Sequence, residues 1–283
     1  MTISNYELID FGEGRKLERF GEVVFDRPAP AAEHARKGDA EQWQTADVVF
    51  EKTSETEGVW NSKTELPESW TLDFGKFRML LQPTPFGHLG LFPEQVPNWD
   101  WIGRQVAKSK STTRVLNLFA YTGGATLAAA SAGAEVVHID SAKNVVAWAK
   151  RNAELSGLQN APVRWITEDA TRFVEREIKR GNRYQGLILD PPSYGHGPSG
   201  QVWKIQKHLL PLLKNCRQIL TDDFRFIVLT CHSPGFGPAE LQASLADAIF
   251  GDCRSGAIAS ELFLSTRAGR KLPAGTVARW AAA

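Results

Sequence analysis

From residue 115 onward the sequence repeats one unit: a short apolar run, a turn carrying glycine or an acid, and a longer stretch that ends in glycine. Val115–Phe119 reads as a strand, followed by a turn at Ala120–Gly124 and an alanine-rich helix stopped by Gly133. Glu135–Ile139 and Val163–Ile166 read as the next strands, and the helices after them, Ala142–Ser156 and Thr171–Arg180, stop at Gly157 and Gly181. Glycine is a natural helix stop because it takes up the left-handed conformation without a Cβ clash. Tyr184–Leu189 and Phe226–Thr230 are the fourth and fifth strands. Between them, Val202–Leu220 is expected as a long helix that Pro211 must start, kink or break. Gly237-Pro238 opens another helix with proline in its tolerated first position. Ala257–Leu264 and Thr276–Trp280 are close enough to form a hairpin, which would put an antiparallel strand at the sheet edge. Strands alternating with helices at this spacing predict an α/β fold: a doubly wound, mostly parallel seven-stranded sheet with helices on both faces.

The first hundred residues follow another rhythm. Tyr6–Ile9, Glu22–Phe25, Val48–Phe50, Trp70–Phe74 and Phe77–Leu81 are short strand-like runs split by glycine, proline and charge, and only Ala31–Gln42 looks weakly helical. The expected division is therefore a β-rich N-terminal region over residues 1–98 and a catalytic domain over residues 99–283. No internal repeat or low-complexity segment is present.

At 283 residues and 42% hydrophobic content the chain can bury a substantial core. Residues 1–20 are charged throughout, unlike a secretory signal, and the apolar stretch around Thr126–Ala134 is too short to span a bilayer. Cys216, Cys231 and Cys253 have neither metal-ligand nor disulfide-framework spacing, so no metal is expected and free thiols of a reducing cytoplasm are. The net charge of +1 hides an asymmetry: 10 Lys and Arg against 18 Asp and Glu in residues 1–100, then 23 against 14 in residues 101–283. A basic catalytic half suits a polyanionic substrate, and it is equally the pattern of a solvated basic surface.

In an open parallel sheet, ligands bind beyond the carboxyl ends of the strands near the switch point, so the residues just after each strand carry the chemistry. After the first strand comes Asn117-Leu118-Phe119-Ala120-Tyr121-Thr122-Gly123-Gly124, whose glycines allow close backbone approach but which is not the G-x-G-x-x-G of a pyrophosphate loop. After the second comes Asp140-Ser141; the acid can accept from both hydroxyls of a ribose, and either residue could instead cap the next helix. After the third comes Glu168-Asp169-Ala170, a carboxylate and a small residue suited to an adenine edge. After the fourth comes Asp190-Pro191-Pro192-Ser193-Tyr194, the strongest signal in the chain: the prolines stiffen the backbone into a platform for a planar amino or amide group. Ser193–Gly200 is glycine-rich and expected to be a mobile loop. After the fifth comes Thr230-Cys231-His232-Ser233-Pro234, where Cys231 is either a nucleophile toward a pyrimidine ring or a small buried hydrophobe.

Taken together, LNLFAYTGG, the acid after the second strand, ED-A and LILDPPSY resemble the class I S-adenosylmethionine-dependent methyltransferases, which are Rossmann-like. The resemblance is nearest to the branch of ribosomal large-subunit RNA cytosine-C5 methyltransferases and their uncharacterised relatives. It extends over roughly residues 70–280 through His88-Leu89-Gly90-Leu91-Phe92-Pro93-Glu94-Gln95. It implies S-adenosyl-L-methionine as cofactor, with Phe92 and Gln95 against the methyl donor and Asn117, Phe119, Tyr121, Thr122, Gly123 and Gly124 along its methionine end. Asp140 and Ser141 would hold its ribose, Asp169 and Ala170 its adenine, and Asp190 and Pro191 would flank the methyl group. Pro192, Ser193 and Tyr194 would meet the substrate. The implied partner is RNA, ribosomal RNA or its precursor, with no membrane; the oligomeric state is not specified. In members that make 5-methylcytosine a Ser/Thr-Cys-Ser element follows the fifth strand; here His232 interrupts it. Two routes stay open: addition of Cys231 to the pyrimidine ring, with Asp190 and Cys231 as the catalytic pair, or transfer to an exocyclic amine held by Asp190–Ser193 with no covalent step. A cofactor-binding assembly factor without turnover is the non-enzymatic alternative. The acidic N-terminal region is not expected to touch RNA.

Overall fold

The computed structural model describes residues 5–197, 200–252 and 256–282, so Cys253 lies outside the described residues. The chain packs as two compact units, one formed by the residues up to Val96 with Phe263–Ala274, the other by Pro97–Leu262 with the residues from Gly275 onward.

The first unit is built on a five-stranded sheet of β1 (Tyr6–Gly12), β2 (Arg15–Phe20), β3 (Val23–Pro28), β4 (Val48–Lys52) and β5 (Gly58–Ser62), ordered as in sequence. All neighbours are antiparallel except β3 and β4. A hairpin of β6 (Trp70–Asp73) and β7 (Arg78–Leu81) completes it, with the Trp70 ring stacked on Phe25 at 5.7 Å. Leu8 and Phe11 pack with Leu264 and Leu272, which is how the late segment joins this unit.

Polar groups in this sheet are buried with their partners. Glu18 is fully buried in β2, accepts from Arg27 at 2.5 Å and from the Tyr6 hydroxyl at 2.9 Å, and lies 3.1 Å from the Lys16 ammonium. Burial alone would raise its pKa, but Arg27 and Lys16 hold it below the usual carboxylate range. Asp10 is treated alike: burial opposes its charge, yet the Trp43 indole and the Gly38 amide donate to it, Arg270 pairs with it, and its pKa falls.

The second unit opens with α1 (Val96–Ala107) and then alternates: β8 (Arg114–Leu118), α2 (Gly124–Ala130), β9 (Glu135–Asp140), α3 (Lys143–Leu155), β10 (Val163–Thr167), α4 (Ala170–Arg180) and β11 (Gly186–Leu189). The small hairpin β12 (Tyr194–His196) and β13 (Val202–Lys204) follows, then α5 (Ile205–Gln218), β14 (Phe226–Cys231), α6 (Pro238–Leu245), β15 (Ile258–Ser265) and β16 (Lys271–Ala281). The sheet order is β10-β9-β8-β11-β14-β16-β15, with β16 antiparallel to β14 and the four pairings from β10 to β14 parallel. Its two faces carry separate cores: Phe173, Leu209, Leu213 and Leu241 from α4, α5 and α6 on one, Ile102 and Ala129 from α1 and α2 on the other. The expected seven-stranded, doubly wound sheet is therefore observed, and the reversal between β8 and β11 is its switch point.

Three local expectations are corrected. The stretch 31–42 forms no α-helix, only 3-10 turns at Pro30–Ala32 and Gln42–Thr45, because it has no apolar face to bury. The helix expected over 202–220 starts at Ile205; the three residues before it pair with Tyr194–His196, so the described part of the 193–200 loop is a hairpin. Pro211 sits inside α5 without ending it. The strands β2 and β5 and the helix α1 were not anticipated. Among the described residues no helix is long and apolar enough to cross a membrane and no cluster of side chains has metal-binding composition.

Candidate active site

The turn after β8 is held in an unusual backbone conformation. Phe119 and Tyr121 have φ of 56° and 48°, and Gly123 has 91°, so every second residue is left-handed. For side-chain-bearing residues such angles persist only where the surroundings enforce them, and they concentrate at binding sites. Several bonds enforce these: the Ala120 amide donates to Ile139, the Tyr121 amide to Asp140 Oδ2 at 2.9 Å, and Asn152 of α3 donates to the Thr122 carbonyl at 2.9 Å. Gly124 begins α2 directly beneath Trp99, where a Cβ would lie 2.2 Å from the indole. Only glycine fits there. Asn117 is turned inward: it donates to Thr126 Oγ1 at 2.9 Å, and that hydroxyl meets His138 Nδ1 at 2.9 Å. The imidazole is neutral here, and its Nε2 is buried with no hydrogen-bond partner among the described residues. Burial alone lowers the His138 pKa to about 3, in keeping with that neutral state.

Asp140, at the carboxyl end of β9, accepts from Tyr121 and, through Oδ1 at 3.0 Å, from the Ala142 amide. Burial outweighs the amide bonds from Ala142, Tyr121 and Ser141 and raises its pKa, the opposite of Glu18 and Asp10. Neither Asp140 nor Ser141 caps α3, whose N-cap is Ala142 with no side-chain cap bond. Asp169 does cap α4, accepting from the Arg172 amide at 3.0 Å, and its second oxygen lies on the other side of the carboxylate. Glu168 is taken by a two-pronged ion pair with Arg176. Asp140, Ser141, Asp169 and Ala170 line one cleft with Phe119, Pro192 and Trp203. Its enclosed part is small, about 70 Å³, enough for the edge of a planar ring, the rest of a ligand lying in the open.

Across the switch point, the Asp190 amide donates to Leu118 at 3.4 Å, and its carboxylate accepts from the Thr230 hydroxyl at 2.5 Å with His232 Nε2 at 3.5 Å. Pro191 is buried, while Pro192, Ser193 and Tyr194 face solvent. The Trp203 indole donates to the Pro192 carbonyl at 2.7 Å and packs 4.9 Å from Phe119, fastening the platform to the turn after β8. Ser193 and Ser233 hydroxyls meet at 2.6 Å. Cys231 is 1% exposed and belongs to the core, with the Ser233 amide, at 3.4 Å, pointing to its sulfur. Burial and the nearby Asp190 charge raise the pKa of its thiol despite the Ser233 bonds.

The second unit therefore gathers the expected residues of four strand ends, from Asn117 to Gly124, Asp140 with Ser141, Asp169 with Ala170, and Asp190 to Tyr194. Phe92 and Gln95 belong to the first unit, at a 3-10 turn over Pro93–Gln95 in which Gln95 is buried. Trp203, Thr126 and Asn152 escaped the sequence reading, and Thr230 was named there only within its motif, without a role. Trp203 was absorbed into an expected helix, and the others act by bonds to residues 9 to 40 positions away.

Comparison with known proteins agrees with this geometry. The family model for S-adenosylmethionine-dependent methyltransferases matches residues 15–242, and the chain belongs to that family. It is similar to a methyltransferase of known structure from Agrobacterium tumefaciens, with 36% identity and a TM-score of 0.90 over 98% of this chain and 90% of that one. It is 37% identical over 90 residues, 31% of this chain and 23% of the relative, to ribosomal RNA large subunit methyltransferase I of Aeromonas salmonicida. To ribosomal RNA large subunit methyltransferase K/L of Pseudoalteromonas atlantica it is 29% identical over 215 residues, 74% of this chain and 28% of that protein. The chain thus spans about a quarter of the length of these two curated relatives.

Proposed function

We propose that this protein methylates RNA, taking the methyl group from S-adenosylmethionine and presenting the acceptor base on Asp190-Pro191-Pro192-Ser193. The reading rests on the cleft that joins Asp140, Asp169 and Ala170 to Pro192. Its donor set fits the cofactor: two carboxylates for ribose hydroxyls and an adenine amino group, beside the apolar walls of Phe119, Ile139 and Ala170. The names of the curated relatives and the basic charge of residues 101–283 support RNA as substrate.

The cofactor supplies an already activated methyl on a sulfonium, so the protein must align and desolvate; orientation of this kind is worth about 7–11 kcal/mol of barrier. Asp190 accepts a hydrogen from the incoming base, held in place by Thr230, with His232 beside it as an exit for the released proton. The thiol of Cys231 is covered and its pKa is raised, the reverse of an activated nucleophile. This favours transfer to a nitrogen over addition to a pyrimidine ring. Labelled methyl transfer to purified ribosomal RNA, with nucleoside analysis of the product, tests both parts. A methylated amine, with Cys231→Ser within about threefold of the parent rate, is the expected outcome. Loss of activity in Cys231→Ser with cofactor binding intact would restore the covalent route, and the absence of label in any RNA would overturn the substrate.

A further inference from the structure

The first unit holds its own cleft, larger than the one at the strand ends: about 440 Å³, within the range of small-ligand sites at about 300–1,000 Å³. Its lining is of two kinds. The exposed ring of Phe86, 58% accessible, gives flat apolar surface, while Phe50, also in the lining, is buried. Lys16, Arg27 and Lys52 give positive charge, against Glu55 alone among the lining acids.

Two of the three charges are fixed rather than trailing in solvent. Arg27 is buried, bonded to Glu18 and, at 3.0 Å, to the Gly87 carbonyl on the cleft wall. Lys16 reaches the same Glu18 at 3.1 Å, so one carboxylate serves two cations and leaves the pair positive overall. Lys52, at the exposed end of β4, makes no ion pair among the described residues. His88, an exposed residue of the wall, has its pKa lowered to about 4 by desolvation first, and then by the charges of Arg27 and Lys16. The unit as a whole is acidic, which led to the expectation that it avoids RNA. A whole-unit charge, however, is screened beyond about 10 Å, and a ligand in this cleft meets the cations next to it.

We propose that this cleft binds one nucleotide of single-stranded RNA, its base against Phe86 and its phosphate between Lys16 and Lys52. The occupant follows from the pairing of surfaces: a base needs a flat apolar face, its phosphate needs cations, and single-strand sites combine the two. The inference rests on RNA being the substrate, and goes further in giving the first unit a part in holding it.

The test titrates a labelled single-stranded RNA of mixed sequence, read by anisotropy over a salt series, against the full chain and its Phe86→Ala and Lys52→Glu variants. Both side chains are exposed, so both variants should fold, and unchanged S-adenosylhomocysteine affinity checks this. Phe86→Ala should weaken RNA binding by about tenfold at every salt concentration, as loss of one stacked base does. Lys52→Glu should weaken it at low salt and reduce the log–log salt slope by about 0.7, one single-strand phosphate contact. RNA binding by both variants equal to that of the parent would overturn the cleft while leaving the substrate intact. A parent protein that neither binds nor methylates RNA would remove both readings together.

Discussion

Glu18 and Asp10 in the first unit and Asp140 in the second are buried in opposite ways. In the first, Glu18 and Asp10 sit within a sheet and are over-supplied with partners: Arg27, Lys16 and Tyr6 for one, Arg270, Trp43 and Gly38 for the other. Both have lowered pKa values. In the second, Asp140 sits at a strand end, receives only backbone amides, and has a raised pKa. The first arrangement is closed and stabilises a fold. The second keeps acceptor capacity in reserve and carries a standing penalty, as a site awaiting a ligand does.

The strongest way to break this contrast is to unbalance the closed network. Arg27→Met would leave Glu18 buried without its main counter-charge and should lower unfolding free energy by about 3–5 kcal/mol in urea titration. A loss below about 1 kcal/mol would mean that Lys16 and Tyr6 suffice. On the other side, Gly124→Ala drives a methyl into Trp99 and should cost about 1–3 kcal/mol as an overpacked contact, with S-adenosylhomocysteine affinity falling as the turn shifts. Undiminished affinity would show that the turn is not held by that contact.

The smallest effect is the sharpest in sign. Glu18 has a lowered folded pKa, so its contribution is present above the unfolded value, near 4.3, and is lost as pH falls through the folded one. Asp140 has a raised folded pKa, so the folded state binds its proton more tightly and stability drops as pH rises from about 3.9 through the folded value. In thermal melts between pH 3 and 6, Glu18→Gln should flatten the acid limb of stability and Asp140→Asn should steepen it. Slopes that change in the same direction in both variants would refute the contrast.

The same contrast explains what could be read from the sequence. In the second unit each strand is a compact apolar run between turn residues, and the polar residues that matter follow it directly, as Asp140 follows Val136–Ile139 and Asp190 follows Leu187–Leu189. In the first, β2 is Arg-Lys-Leu-Glu-Arg-Phe, three cations and an acid in six residues, and reads as surface. Its burial depends on Arg27 from the neighbouring strand, which no local pattern announces. The return of Phe263–Ala274 to the first unit is equally silent, since Arg270 finds Asp10 across 260 positions. Within the site, backbone strain at Phe119 and Tyr121 was invisible because neither residue type signals a left-handed angle. Trp203 was hidden by a helix that starts three residues later than its apolar pattern suggests.

The central claim is that Asp140 is the ligand-binding acid and Glu18 the structural one. Calorimetric titration with S-adenosylhomocysteine of the parent chain, Asp140→Asn and Glu18→Gln tests it most directly. Loss of a charged hydrogen-bond acceptor is worth about 1.5–3 kcal/mol, so Asp140→Asn should weaken binding by about 10- to 100-fold, while folded Glu18→Gln binds as the parent does. Equal affinity in the parent and Asp140→Asn, or a loss confined to Glu18→Gln, would contradict it.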